Sequence, residues 1–487
     1  MDQPLSDGGS ERCRMSDEVV VNGTMTTLTL TDDGILKWRD ELGRYNVLNM
    51  EKEVLGFGIE GAKLRIKGVA TKGDGMCCTG PNYGVLQRKD FLFESINVDS
   101  QKLWCQLLKQ YLDSLGRPKR LFIFVNPFGG KKSASNVFLK HVKPLLEDAD
   151  IQITVQETKY QLHAKEVCST LDLTKYDGIV CISGDGILVE VINGLLSRDD
   201  WNTAIKMPIG MVPAGTGNGM VKSLLHSADQ PCTPLNAVLA IIRGHKLALD
   251  VATLKQGEAK FFSVLMLAWG LIADIDIESE KYRWMGSARI DFYALQRIFD
   301  LRLYRGRISF VPAPGFESYG DPTYYKTEEH DSNFQLRGYN GPRISSEDHG
   351  WRCIDGPFVS IWLHNVPWGA ETTMAAPQAK FSDGCLDLII VKECPKVALL
   401  SLMSGLSTGD HVKSPYVTYL KVREFVLEPG HRVEKEEKGG IIDVDGEVLA
   451  RGKGVYNSHL RTLMAYDKVE ISIEQGLATV FTPQEDL

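Results

Sequence analysis

From residue 121 onward the chain alternates short apolar runs with amphipathic ones, and no other feature narrows its possible folds as far. Residues 121–125, 151–155, 178–183 and 207–212 read as strands. Residues 133–146, 162–171, 187–196 and the stretch around Met220 read as helices between them. Strand and helix in succession imply a mainly parallel sheet with helices on its faces, because a parallel crossover needs an intervening helix. Ligands of such a sheet gather outside the carboxyl ends of its strands.

Three of those ends run into glycine-rich loops. They are Asn126-Pro127-Phe128-Gly129-Gly130-Lys131-Lys132, Ser183-Gly184-Asp185-Gly186 and Pro213-Ala214-Gly215-Thr216-Gly217-Asn218-Gly219. Glycine lets backbone N–H groups come close to an anion, and a helix N-terminus adds positive potential. One such loop is more often a plain helix entry; three at one sheet edge suggest a polyphosphate. The third loop spaces its glycines G-x-G-x-G and misses the dinucleotide fingerprint, and no G-x-x-x-x-G-K-[ST] occurs. Asp185, between two glycines, can approach an alcohol and take its proton. By position alone it is equally a helix N-cap or turn residue.

At 487 residues the chain exceeds what one core supports, so two or three domains are expected. A net charge of -8 provides no global basic field, which argues against nucleic acid as a partner. The ten cysteines show no C-x-x-C spacing, and the first residues contain no apolar segment of a secretory signal, so reduced thiols and a cytoplasmic location are expected. The longest apolar run, residues 261–273, is broken by Ser263 and Gly270 and falls short of the roughly 20 residues that span a bilayer. Contact with membrane should therefore be peripheral.

The expected organisation begins with a disordered tail at 1–17 and a β-rich module at 18–117. The module has an Asn22-Gly23 turn, short strands, and a closing helix with Ser100 as N-cap and Trp104 on its apolar stripe. Small strands capped by such a helix resemble a pleckstrin-homology-like fold, although residues 24–30 carry no Lys or Arg. A docking module without lipid specificity is the plainer alternative. The α/β nucleotide-binding domain follows at 118–250. Residues 251–487 read as a β-rich antiparallel sandwich, with a flexible insertion near 314–350.

Taken in order, the loops NPFGGKK, SGDGILVEVINGL and PAGTGNGM resemble the catalytic motifs of the diacylglycerol kinase-like superfamily. The segment AWGLIADIDIESEKYR at 268–283 is closely similar to the signature of sphingosine kinases, and Asp445-Gly446-Glu447 completes the set. The resemblance runs from about Lys119 to the end. It implies an ATP- and Mg²⁺-dependent lipid kinase with Asp185 as the base. Ser183, Gly184 and Gly186 would line the acceptor headgroup and phosphate. Asn126, Pro127, Phe128, Thr158, Lys159, Tyr160, Gln161, Leu162, Glu190, Gly215, Thr216 and Gly217 would border the nucleotide. Phe128 stands where the family often has Arg. Arg283 and Arg289 would meet the phosphates, and Asp445, Gly446 and Glu447 would reach back from the second domain to close the site. No direct metal ligand is assigned.

Asp276 points to the acceptor. Asp274, Asp276, Glu278 and Glu280 alternate with other residues, so an extended segment would align four carboxylates on one face. Lys281, Arg283, Mg²⁺ or a substrate ammonium would have to relieve them; a solvated acidic strand edge is the alternative. Leu271 and Ile272 provide an apolar flank for an alkyl chain. An Asp beside that flank suits the free amine of a sphingoid long-chain base (sphingosine, sphinganine or phytosphingosine). Ceramide or diacylglycerol kinase activity is the nearest alternative, and an inactive membrane-docking adaptor the alternative outside enzymes. Ser382-Asp383-Gly384-Cys385-Leu386-Asp387 resembles a turn associated with metal in some bacterial relatives, and here reads as a hairpin turn.

Overall fold

The computed structural model describes residues 13–71, 86–129, 132–286, 288–325, 338–344, 350–455 and 462–483. In the α/β domain the strands Gln152–Glu157, Arg120–Val125, Gly178–Ser183 and Ile209–Pro213 lie side by side, all parallel. RLFIFV and GIVCIS are buried almost throughout, as a sheet covered on both faces requires. Helices 163–170, 185–196, 219–226 and 234–243 cover it. The glycine-rich loops therefore leave the same edge, as their succession in the sequence implies.

The second domain is antiparallel. Met266–Gly270, Ser360–His364, Leu386–Val391 and Thr418–Arg432 pair in that order around a core containing Trp269, Tyr304, Phe310 and Phe425. The boundary expected at 250 falls inside one continuous strand, Lys246–Gln256. Its partner, Val469–Phe481, pairs with the sandwich through Val469–Ser472 and touches the parallel sheet at Ile209↔Val480. A bulge at Leu249/Val251 marks the crossing, where the Asp250 carboxylate accepts the N–H groups of Gly384 and Gly476, each at 2.7 Å. One long strand pair thus belongs to both sheets, and the sandwich is fixed to the nucleotide edge.

The N-terminal module is a seven-stranded antiparallel sheet closed by helix Val98–Ser114, whose Trp104 and Leu108 pack on Leu28, Leu30 and Trp38. Asn97 caps this helix through its side chain, not Ser100. Of the tail expected at 1–17, residues 13–17 belong to the strand Cys13–Val21; residues 1–12 lie outside the described residues. The insertion expected at 314–350 includes an ordered strand, Asp321–Pro322, and buried Tyr339 and Ile344; 326–337 and 345–349 lie outside the described residues.

Candidate active site

The strand Gly178–Ser183 delivers Asp185 to the first turn of its helix, and the adjacent strand Ile209–Pro213 delivers the loop that opens helix Gly219–His226. The two loops meet backbone to backbone: a Cβ on Gly215 would lie 2.2 Å from Gly184 Cα. Across this contact the Asp185 carboxylate accepts the N–H of Gly219 at 2.7 Å and of Met220 at 3.1 Å. It caps the neighbouring helix, not its own, and lies in that helix's positive field. Burial pushes its pKa up to about 6, against those two bonds. Such a carboxylate is ionised at neutral pH yet basic enough to accept a proton.

The first loop is tied to the second. Asn126 donates through Nδ2 to Ser183 Oγ at 3.3 Å and accepts the N–H groups of Phe128 and Gly129 through Oδ1. Phe128 is exposed; Gly130 and Lys131 lie outside the described residues. After the strand Gln152–Glu157, Thr158 is buried and its N–H reaches Val125 O. The Tyr160 ring lies 4.7 Å from that of His163, tilted by 42°, and His163 Nδ1 accepts the Lys159 N–H. Glu190 accepts the N–H groups of Leu162 and Ala164 at 2.9 and 3.0 Å. Its carboxylate therefore holds the 158–162 loop, including Leu162 in a left-handed conformation (φ 71°), by capping helix His163–Thr170. In the third loop Gly215 is buried and Thr216 exposed, and Gly217 O accepts the N–H of Glu371. Asn218 Nδ2 reaches Glu371 Oε1 at 2.5 Å. Glu371 had no sequence signal beyond following Trp368-Gly369-Ala370.

The acidic segment is not extended. Gly270, at φ 90° and with no room for a Cβ beside Val359 O, ends the strand, and Leu271–Glu278 is a helix. A helix sorts the four carboxylates by i,i+4 instead of i,i+2. Asp274 and Glu278 turn inward, where Arg302 meets them at 3.0 and 2.8 Å and Tyr304 and Tyr293 donate to them. Asp276 lies on the other side, with its carboxyl 4.0 Å from where a Gly446 side chain would begin. Burial raises its pKa, and Arg289 opposes the shift. Arg289 itself donates to Ser279 Oγ at 2.9 Å. The Arg283 side chain lies outside the described residues.

Asp445 and Glu447 part company. The Asp445 carboxylate accepts Ser263 Oγ and the N–H groups of Val264, Leu265 and Met266, so it fastens the turn ahead of Met266–Gly270. The expectation that it reaches the nucleotide is corrected: these four bonds occupy it inside the sandwich. Glu447 does reach across, receiving Gln161 Nε2 at 2.9 Å from the first domain. Burial and the nearby Glu190 and Glu280 push its pKa up to about 7. Asp443, missed in the sequence as an acid within an apolar strand, is fully buried beside Asp276.

An apolar cavity of about 50 Å³ starts one turn before Asp276, lined by Leu271, Ile272, Trp362, Leu399, Met403 and His411. In the turn at 382–387, Lys421 Nζ lies 2.8 Å from Asp383 and 2.9 Å from Asp387, so one internal ammonium bridges the two carboxylates. Among the described residues no group of three or more His, Cys, Asp or Glu is arranged to hold a metal ion.

Residues 120–254 match the diacylglycerol kinase catalytic domain, and residues 356–457 match the YegS C-terminal NAD kinase beta sandwich-like domain. The chain is 61% identical to sphingosine kinase 2 of Arabidopsis thaliana over 96% of each chain, and 60% identical to sphingosine kinase 1 of the same plant, again over 96% of each. Its identity to human sphingosine kinase 1 is 35%, covering 69% of this chain and 87% of the human one.

Proposed function

The chain belongs to the sphingosine kinase family, and we propose that it transfers the γ-phosphoryl group of MgATP to the primary hydroxyl of a sphingoid long-chain base. The observation that carries this reading is the placement of Asp185 and Asp276. One acid lies among three glycine-rich loops at a parallel sheet edge; the other lies one helical turn beyond an apolar cavity.

In the reaction the acceptor oxygen attacks the γ-phosphorus while its proton passes to the Asp185 carboxylate. The bond from the γ-phosphorus to the β-bridging oxygen breaks, and ADP leaves. Phosphoryl transfer of this kind asks for positioning and charge neutralisation. The loops at 126–129, 158–162 and 215–217 provide backbone donors, Glu190 holds the second of them, and Arg283 and Arg289 carry the positive charge toward the phosphates. Mg²⁺ bound with ATP would add to the charge neutralisation, and no residue of this chain is assigned to hold it. Ser183, Gly184 and Gly186 leave room for the hydroxyl, and Glu447, through Gln161, closes the sandwich over the nucleotide.

The lipid lies with its ammonium at Asp276 and its chain toward Leu271 and Ile272. Each buried CH₂ contributes about 0.8 kcal/mol, so the tail supplies affinity and Asp276 the selection for a free amine, which diacylglycerol and ceramide lack. Among the described residues no helix is long and apolar enough to cross a membrane. We place the protein peripherally on membranes facing the cytoplasm. The N-terminal sheet and helix, read as a pleckstrin-homology-like module, would serve docking.

The test is an acceptor panel with radiolabelled ATP in mixed micelles: sphingosine, sphinganine, phytosphingosine, ceramide and diacylglycerol. Label should enter the three amine-bearing bases. Asp276→Asn should raise their KM by about tenfold or more, as loss of a charged hydrogen bond implies. Purified protein that binds ATP and labels none of the bases would sink the proposal.

A further inference from the structure

Asp443 lies in the strand Ile441–Val444, paired with Ala268, and is fully buried. Strand alternation sends its side chain to the same side as Ile441, which packs with Ala273 and Ile277 of helix Leu271–Glu278. Neither carboxyl oxygen receives a hydrogen bond from any N–H or hydroxyl group among the described residues. The group within hydrogen-bonding reach is the carboxyl of Asp276, which is partly open to the cleft. The other charged groups around the pair are Arg289, which acts on Asp276 from helix Ala288–Phe299, Glu280 just beyond Asp276, and Asp445 and Glu447 on the segment after Asp443. Among the described residues no cation forms an ion pair with Asp443 itself.

Two carboxylates buried against each other cannot both stay ionised without a large cost; such pairs keep one proton between them. The more deeply buried acid, Asp443, carries the larger penalty for charge, and burial with Asp276 beside it holds its pKa well above the usual carboxylate range. We propose that Asp443 is a positioning residue for headgroup recognition: protonated, it donates to Asp276 from behind, so the pair presents one negative charge to the acceptor's ammonium. The donated bond also fixes which Asp276 oxygen faces the cleft. The pair carries a single charge, matching a monocation. The inference rests on the assignment of Asp276 to the amine.

Two substitutions and two KM values test it. Asp443→Ala removes the donor and should raise KM for sphinganine by about tenfold or more, the effect expected for a hydrogen bond to a charged group. KM for ATP should stay within about threefold of wild type, and so should kcat at saturating base. Asp443→Asn keeps an N–H donor toward Asp276 and should restore KM for the base to within about threefold. An unchanged base KM in the alanine variant overturns the inference. So does an equal rise in both KM values, or an asparagine variant as impaired as Asp276→Asn. If the alanine protein does not fold, the asparagine variant decides on the same criterion. Wild-type protein that phosphorylates no sphingoid base overturns the functional reading instead, before either variant is compared.

Discussion

Asp185 shows how one side chain can serve the scaffold and the chemistry together. Its two backbone hydrogen bonds come from the helix of the next loop, so the proposed base is oriented by the same contact that joins the loops. Asp185→Asn should lower kcat by at least about 100-fold, the usual contribution of a general base, while ATP binding measured by fluorescence persists. Lipid phosphorylation unchanged in that variant would remove the assignment. The pH dependence follows from the sign of the shift. A carboxyl raised to about 6 is protonated below that pH, and only its ionised form accepts a proton. The single-turnover rate should therefore fall toward tenfold per unit below about pH 6, and a flat profile down to pH 5 would count against Asp185 as base. Asp445, two residues from Glu447 in the same motif, belongs to the scaffold, a division made by hydrogen-bond donors that lie about 180 positions away in the sequence.

At the scale of elements, glycines of the same loops have opposite reasons to be there. A Cβ at Gly215 would collide with the Gly184 backbone, whereas one at Gly186 meets no protein atom within 4 Å. Gly215→Ala should lower Tm and cut kcat/KM by about 100-fold, because the loops must separate and Asp185 moves with them. Gly186→Ala should leave Tm unchanged and reduce turnover only if substrate fills that space. Thermal melts beside initial rates distinguish the two; equal melting temperatures would refute the steric argument. The acidic segment is the element the alternating pattern misled. Asp274, Asp276, Glu278 and Glu280 alternate as a half-buried strand would, yet a helix begins at Leu271 and separates them into an inward pair, held by Arg302, and Asp276 on the other side. The cavity beside that helix is lined on its far side by Leu399, Leu402 and Met403 of helix Lys396–Gly405.

The whole molecule is more tightly joined than three domains on linkers. Leu55 and Val69 of the N-terminal module lie in the same core as Phe122, Leu145 and Ile179 of the α/β domain. Asp148 receives Arg88 and lies 3.3 Å from Lys67, and Arg117, between the two units, donates to the carbonyls of Met50, Glu51, Val54 and Leu55. Removing residues 1–117 should cost roughly 3–6 kcal/mol from those two apolar side chains alone, so calorimetry should show a lower Tm for the truncated chain. An unchanged Tm would mean that the module is only tethered. The parallel sheet, the shared edge of the three loops and the sandwich beyond them were legible in the sequence, because apolar periodicity and glycine placement are local properties that each segment carries itself. Asp185 and Asp276 were singled out by the motifs that contain them, which are contiguous stretches of the chain. The helical state of 271–278, the inward turn of Asp445, the capping role of Glu190 and the Asp443–Asp276 pair were decided only by the tertiary structure. Each depends on a donor, a cation or a burial that a distant segment supplies, and the free energy of a buried carboxylate is set by what surrounds it.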